Sequence, residues 1–89
     1  MPVVWIPSLM RDLTGGQERL EVPGATVQEL IENLDRRCPG IQGRLMVDGA
    51  LRPGINVIVD GVVSRKRLRH RLAEFSEVHF LPAISGGRA

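Results

Sequence analysis

The segment from Thr26 to Pro39 restricts the possible folds more than any other part of the chain, because it reads as a helix with both its start and its stop written into it. Thr26 followed by Glu29 is a capping box, in which the hydroxyl accepts from an early helix amide while the carboxylate reaches back. Val27, Leu30, Ile31 and Leu34 fall at i, i+3, i+4 and i+7 and form one apolar stripe. Pro39 disfavours helical backbone at Cys38 and has no N–H to donate, so Cys38-Pro39-Gly40 ends the helix. A single apolar stripe has to be buried against something, and the rest of the chain offers short β-type runs.

Val3-Val4-Trp5-Ile6 is β-branched and aromatic and reads as a strand that ends at Pro7. Gln17 to Val22 alternates, with Leu20 and Val22 directed inward. Thr14-Gly15-Gly16 is a turn signal between these two runs, which gives a hairpin. Ile55 to Val59 is strongly β-rich, Asp60-Gly61 is a hairpin turn, and Val62-Val63 begins the return strand. Ile41 to Pro53 is less regular, with a turn at Asp48-Gly49, and Ser64 to Leu72 is too sparse in apolar residues to define an element. Glu77 to Leu81 is the last strand. Its alternation puts Val78 and Phe80 on one face and His79 and Leu81 on the other.

Two hairpin strands cannot cover a helix stripe alone, so the later strands must join the same sheet. The expected fold is α+β, with a mixed sheet of four to five strands, one main helix on one face, and the last strand beside the first. That is a β-grasp architecture. The domain is expected to span residues 1–82, with 83–89 as a flexible C-terminal tail.

Composition narrows the function. With 89 residues there is room for one domain, and at 43% hydrophobic the chain can fill a core that must be aliphatic, since Trp5, Phe75 and Phe80 are its only aromatics. The net charge of +2 does not announce nucleic-acid binding. The lone Cys38 excludes an internal disulfide and fits a reducing compartment, and no apolar run approaches the roughly 20 residues that span a bilayer. Neither a membrane nor a secretory route is indicated, which makes the cytoplasm the expected location. Lys66 is the only lysine, so lysine-linked chains of this protein would be severely restricted.

The most informative piece is Pro82-Ala83-Ile84-Ser85-Gly86-Gly87, directly after the last strand. With Ile6-Pro7-Ser8 through Thr14-Gly15-Gly16, Ala25 to Leu30, and Ile55 to Gly61, it resembles the ubiquitin-like sulfur carriers. That family includes the molybdopterin synthase small subunit, the thiamine sulfur carrier and the cysteine-biosynthesis carriers, and the opening strand and turn are most similar to the last of these. The resemblance implies that an E1-like partner adenylates the C-terminal carboxylate of Gly87 with ATP. The product is a thiocarboxylate for delivery to a sulfur-accepting biosynthetic enzyme, with cysteine or a related amino acid favoured. Gly86 and Ser85 would give the tail access to a narrow channel, since glycine lacks a Cβ and tolerates angles closed to other residues. No cofactor is implied on the carrier itself, and the carrier is not an enzyme.

Arg88 and Ala89 depart from carriers that are used directly, because they lock the Gly87 carbonyl in an amide. Similarity to precursor forms implies a processing peptidase, for which a zinc-dependent enzyme is one candidate; the rival reading makes Arg88-Ala89 a relic in a protein that no longer carries sulfur. The resemblance puts Phe80, Leu81 and Ile84 where such carriers present an apolar surface to the activating enzyme; with Val78 and Phe80 expected in the core, Leu81, Pro82 and Ile84 are the expected contacts. Arg65 and Arg67, within the basic run Arg65-Lys66-Arg67-Leu68-Arg69-His70-Arg71, are docking candidates beside the simpler reading of a solvated loop. No aromatics are interleaved there for base stacking, which argues against nucleic acid.

Cys38 reads as a structural thiol, and His70 and His79 lack metal-ligand spacing. Two other functions remain: a ubiquitin-like modifier joined to lysines through Gly87, and a β-grasp interaction domain with an inert tail.

Overall fold

The structure is a computed structural model that describes residues 1–82. The elements follow one another as β1 (Val3–Trp5), a 3-10 segment (Ser8–Thr14), β2 (Arg19–Glu21), α1 (Val27–Arg37), α2 (Ile41–Leu45), β3 (Met46–Val47), β4 (Ala50–Leu51), β5 (Ile55–Val59), β6 (Val62–Val63), a 3-10 turn (Arg67–Arg69) and β7 (Glu77–Pro82). Among the described residues, five strands form one mixed sheet in the order β2-β1-β7-β5-β6, and β3 with β4 forms a separate small ribbon. β7 is the central strand, parallel to β1 and antiparallel to β5.

α1 begins and ends as its sequence dictates. The Glu29 amide donates to Thr26 Oγ1 at 3.2 Å, and Glu29 Oε1 accepts from the Ala25 amide at 2.8 Å. The carboxylate thus reaches one residue beyond the cap itself. Val27, Leu30, Ile31 and Leu34 are all fully buried. Burial of each such side chain is worth about 1.5–3 kcal/mol relative to exposure. The helix packs on the sheet face formed by Leu20, Val4, Val78, Val57, Val59 and Phe80, which join it in one core. Gly24 lets the chain enter the helix at close range: a Cβ there would lie 2.7 Å from the Leu30 amide nitrogen.

Both aspartate–glycine pairs make tight hairpin turns. Asp48 and Gly49 have φ of 53° and 77°, and Asp60 and Gly61 have 51° and 83°, the positive pair that a two-residue turn of right-handed twist requires. Asp60 adds a bond of its own, its Oδ1 accepting from the Glu77 amide at 2.9 Å.

Three segments differ from the expectation. The β1–β2 hairpin is not closed by its glycines alone: Ser8–Thr14 first winds into a 3-10 segment that Gly15 ends in the left-handed conformation. Buried Met10 anchors this segment to the core, a long-range contact with no local period to announce it. Ile41–Leu45 is a short helix, fixed by buried Ile41 and Leu45 and started by Asp35 Oδ1, which accepts from the Gly40 and Gln42 amides. The basic run contains the 3-10 turn Arg67–Arg69 and is tied to the start of α1, since the Val27 amide donates to the His70 carbonyl at 3.0 Å and the Leu72 amide to the Ala25 carbonyl at 2.9 Å.

Candidate functional site

β7 carries the chain to the end of the sheet and delivers the tail from its middle. Its inward residues are Val78, fully buried, and Phe80, 2% exposed; Leu81 faces outward and is 47% exposed. Ile55 opposes Pro82 and Asn56 opposes Leu81, so the tail leaves at the end where β5 begins and where β1 runs into Pro7.

On the face that α1 leaves open, the strand registers align one row across the sheet: Arg19, Trp5, His79, Ile58 and Val63. Trp5 stacks flat on His79, with ring centroids 5.5 Å apart and planes within 3° of parallel. The indole N–H points to Glu77 Oε1 at 3.4 Å. Beside this stack lies a concavity of about 270 Å³ lined by Trp5, Pro7, Ser8, Arg11, His79 and Leu81. Leu9, 77% exposed, stands on the adjoining 3-10 segment. The root of the tail is therefore surrounded by apolar and aromatic surface with Arg11 at its rim, the composition of a protein-binding patch.

The basic run reaches the same end of the sheet. The Ser64 amide donates to the Val57 carbonyl at 2.8 Å, and Val57 opposes Phe80, one residue before Leu81. Arg65 is exposed, whereas Arg67 is half-buried with φ at 53°. The structure thus brings Leu81 and Arg65 to one end of the sheet. Ile84, the tail residues Ser85, Gly86 and Gly87, and the terminal Arg88 and Ala89 lie outside the described residues.

Trp5, His79 and the concavity between them were not legible as a site, since only the β1–β7 register brings residues so far apart in the chain into contact. The alternation that groups His79 with Leu81 was legible; that this pair faces outward is set by the burial of Val78 and Phe80. Cys38 is buried, as its apolar surroundings at the end of α1 imply. Among the described residues, no group of three or more His, Cys, Asp or Glu side chains could hold a metal. No helix among them is long and apolar enough to cross a membrane.

A helix laid over one face of a mixed sheet, with first and last strands parallel at its centre and a tail issuing from the last, defines a β-grasp protein of the ubiquitin-like class. The chain belongs to the ThiS family, whose model matches residues 4–87. It is 34% identical to the sulfur carrier protein CysO of Mycobacterium tuberculosis over 89 residues, covering 94% of this chain and 96% of the relative. It is 32% identical over 65 residues to small archaeal modifier protein 3 of Haloferax volcanii, covering 71% of each. Among solved structures, the BexX/CysO complex of Amycolatopsis orientalis contains a chain that superposes with a TM-score of 0.91 at 35% identity, covering 98% of this chain and all of that one.

Proposed function

We propose that this protein is a sulfur carrier of the CysO type, serving partner enzymes as a substrate without catalysing a reaction itself. The observation that carries the reading is the family match, which runs from β1 through the diglycine and stops at Gly87, leaving Arg88 and Ala89 beyond it. The two residues are removed by a processing peptidase, for which a zinc-dependent enzyme is a candidate. An E1-like enzyme then adenylates the freed Gly87 carboxylate with ATP; sulfide-level sulfur displaces AMP and leaves the thiocarboxylate. Activation is needed because a free carboxylate is a poor electrophile. The identity to CysO favours cysteine or a related amino acid as the destination of the sulfur. Leu81, Pro82 and Ile84 meet the activating enzyme, and Arg65 and Arg67 meet acidic side chains of a partner. The lone thiol of Cys38 is in keeping with work in the reducing cytoplasm.

The test uses two forms, one ending at Gly87 and one retaining Arg88-Ala89, each given ATP, the activating enzyme and a sulfur source. Intact-mass measurement is expected to show the exchange of one oxygen for sulfur in the first form only. No gain in the shorter form, under conditions that charge a related carrier, overturns the reading. The similarity to small archaeal modifier protein 3 supports a second use, conjugation of Gly87 to lysines. Reductant-resistant adducts ending in Gly87 in lysates of the native cell would reveal it.

A further inference from the structure

We infer that the loop from Ser64 to Arg71 is a binding site for a phosphate-class oxyanion, distinct from the concavity beside Trp5 and His79, with which it shares no lining residue. Its walls form a concavity of about 320 Å³ lined by Val63, Ser64, Arg65, Lys66, His70 and Arg71.

The cations here are unspent. Arg65, Lys66, Arg67, Arg69 and Arg71 crowd into seven residues. Among the described residues the ion pairs are Arg11 with Glu18 and Arg44 with Asp12, and no side chain of the loop joins either. Elsewhere among the described residues most arginines are occupied: Arg11, Arg36, Arg37, Arg44 and Arg52 each donate to a protein oxygen, Arg19 being the exception. Three of the loop's cations, Arg65, Lys66 and Arg71, line the concavity, where like charges repel one another and an anion removes that cost.

The neutral lining is prepared as well. Ser64 is buried at 6% exposure, and its Oγ accepts from the Arg67 amide at 3.0 Å and lies 2.7 Å from His70 Nδ1. The Ser64 hydroxyl and the His70 ring are thereby fixed against each other, whichever of the two donates. This network holds Arg67 at φ 53°, a conformation unfavourable for a residue with a side chain. The loop is held rigidly from below, by half-buried Leu68 and Leu72 on the core and by the amides of Val27 and Leu72 on the α1 side. A concave, preorganised set of three cations, Arg65, Lys66 and Arg71, around fixed Ser64 and His70 suits a compact multivalent oxyanion better than a single planar carboxylate.

The test is a titration of the ¹⁵N-labelled full chain with sodium phosphate, followed by amide shifts, against sodium chloride and sodium acetate at matched ionic strength. Saturable shifts confined to residues 64–71 are expected with phosphate alone. Lys66→Gln and Arg71→Gln, both at exposed positions, should each weaken binding about tenfold while the rest of the spectrum reports an intact fold. Equal shifts in chloride or acetate, or phosphate affinity unchanged in both variants, overturn the proposal.

Discussion

The indole of Trp5 lies parallel to the imidazole of His79 across the β1–β7 ladder, with 5.5 Å between ring centroids. The pair joins the first strand of the fold to the strand that carries the tail, on the side of the sheet that α1 leaves uncovered. It contributes little to the interior, since both residues are only half-buried.

Trp5→Ala should therefore separate docking from stability. Because buried aromatic anchors dominate interface energies, the loss at a partner surface should be about 1–2 kcal/mol, or roughly a tenfold rise in KM for charging by the activating enzyme. kcat and the urea midpoint should change little. An unchanged KM would remove the open face from the docking surface.

Gly24→Ala should be among the most damaging small changes in the chain. The added Cβ would sit 2.7 Å from the Leu30 nitrogen and 2.8 Å from its Cα, and helix backbone cannot step aside as a flexible side chain can. Overpacking of this kind costs about 1–3 kcal/mol, which urea unfolding would read directly.

Thr26→Ala removes the acceptor for the Glu29 amide and should cost about 1 kcal/mol. Glu29→Gln keeps an acceptor for the Ala25 amide and should cost less. If the two variants were equally damaging in urea unfolding, the carboxylate charge rather than the cap geometry would be what matters.

Asp60→Asn and Asp60→Ala distinguish the two demands on that turn. Asparagine tolerates φ 51° and retains an acceptor for the Glu77 amide, whereas alanine does neither. The alanine variant should lose about 1–2 kcal/mol, and the asparagine variant no more than about half a kcal/mol.

Much of the framework follows from local rules. The α1 cap pair, the stripe from Val27 to Leu34, the Asp60-Gly61 turn and the alternation of Val78 and Phe80 against His79 and Leu81 each rest on spacings of a few residues. That the later strands join the same sheet followed from the helix stripe, which needs a wider sheet than one hairpin supplies; the parallel register of β1 with β7 is a feature of the fold itself. What escaped depends on partners distant in the chain. Met10 and Ile41 draw Ser8–Thr14 and Ile41–Leu45 into helical turns by burial, although Gly43 weakens the second segment as a helix. The Trp5–His79 stack and the Ser64–His70 bond required the register of the sheet and the path of a loop, and neither is encoded in periodicity. Gly86 and Gly87 were legible only as a pattern.

The position of β7 also has a mechanical consequence. A partner that draws the tail into a channel applies tension along this strand, which is gripped on one side by β1 and on the other by β5. The ladder bonds lie across the direction of pull, so they are loaded together in shear. A tail hung from β6, at the rim, would peel its strand away one bond at a time. Issuing from the middle, it can be tugged while the body behind it stays whole.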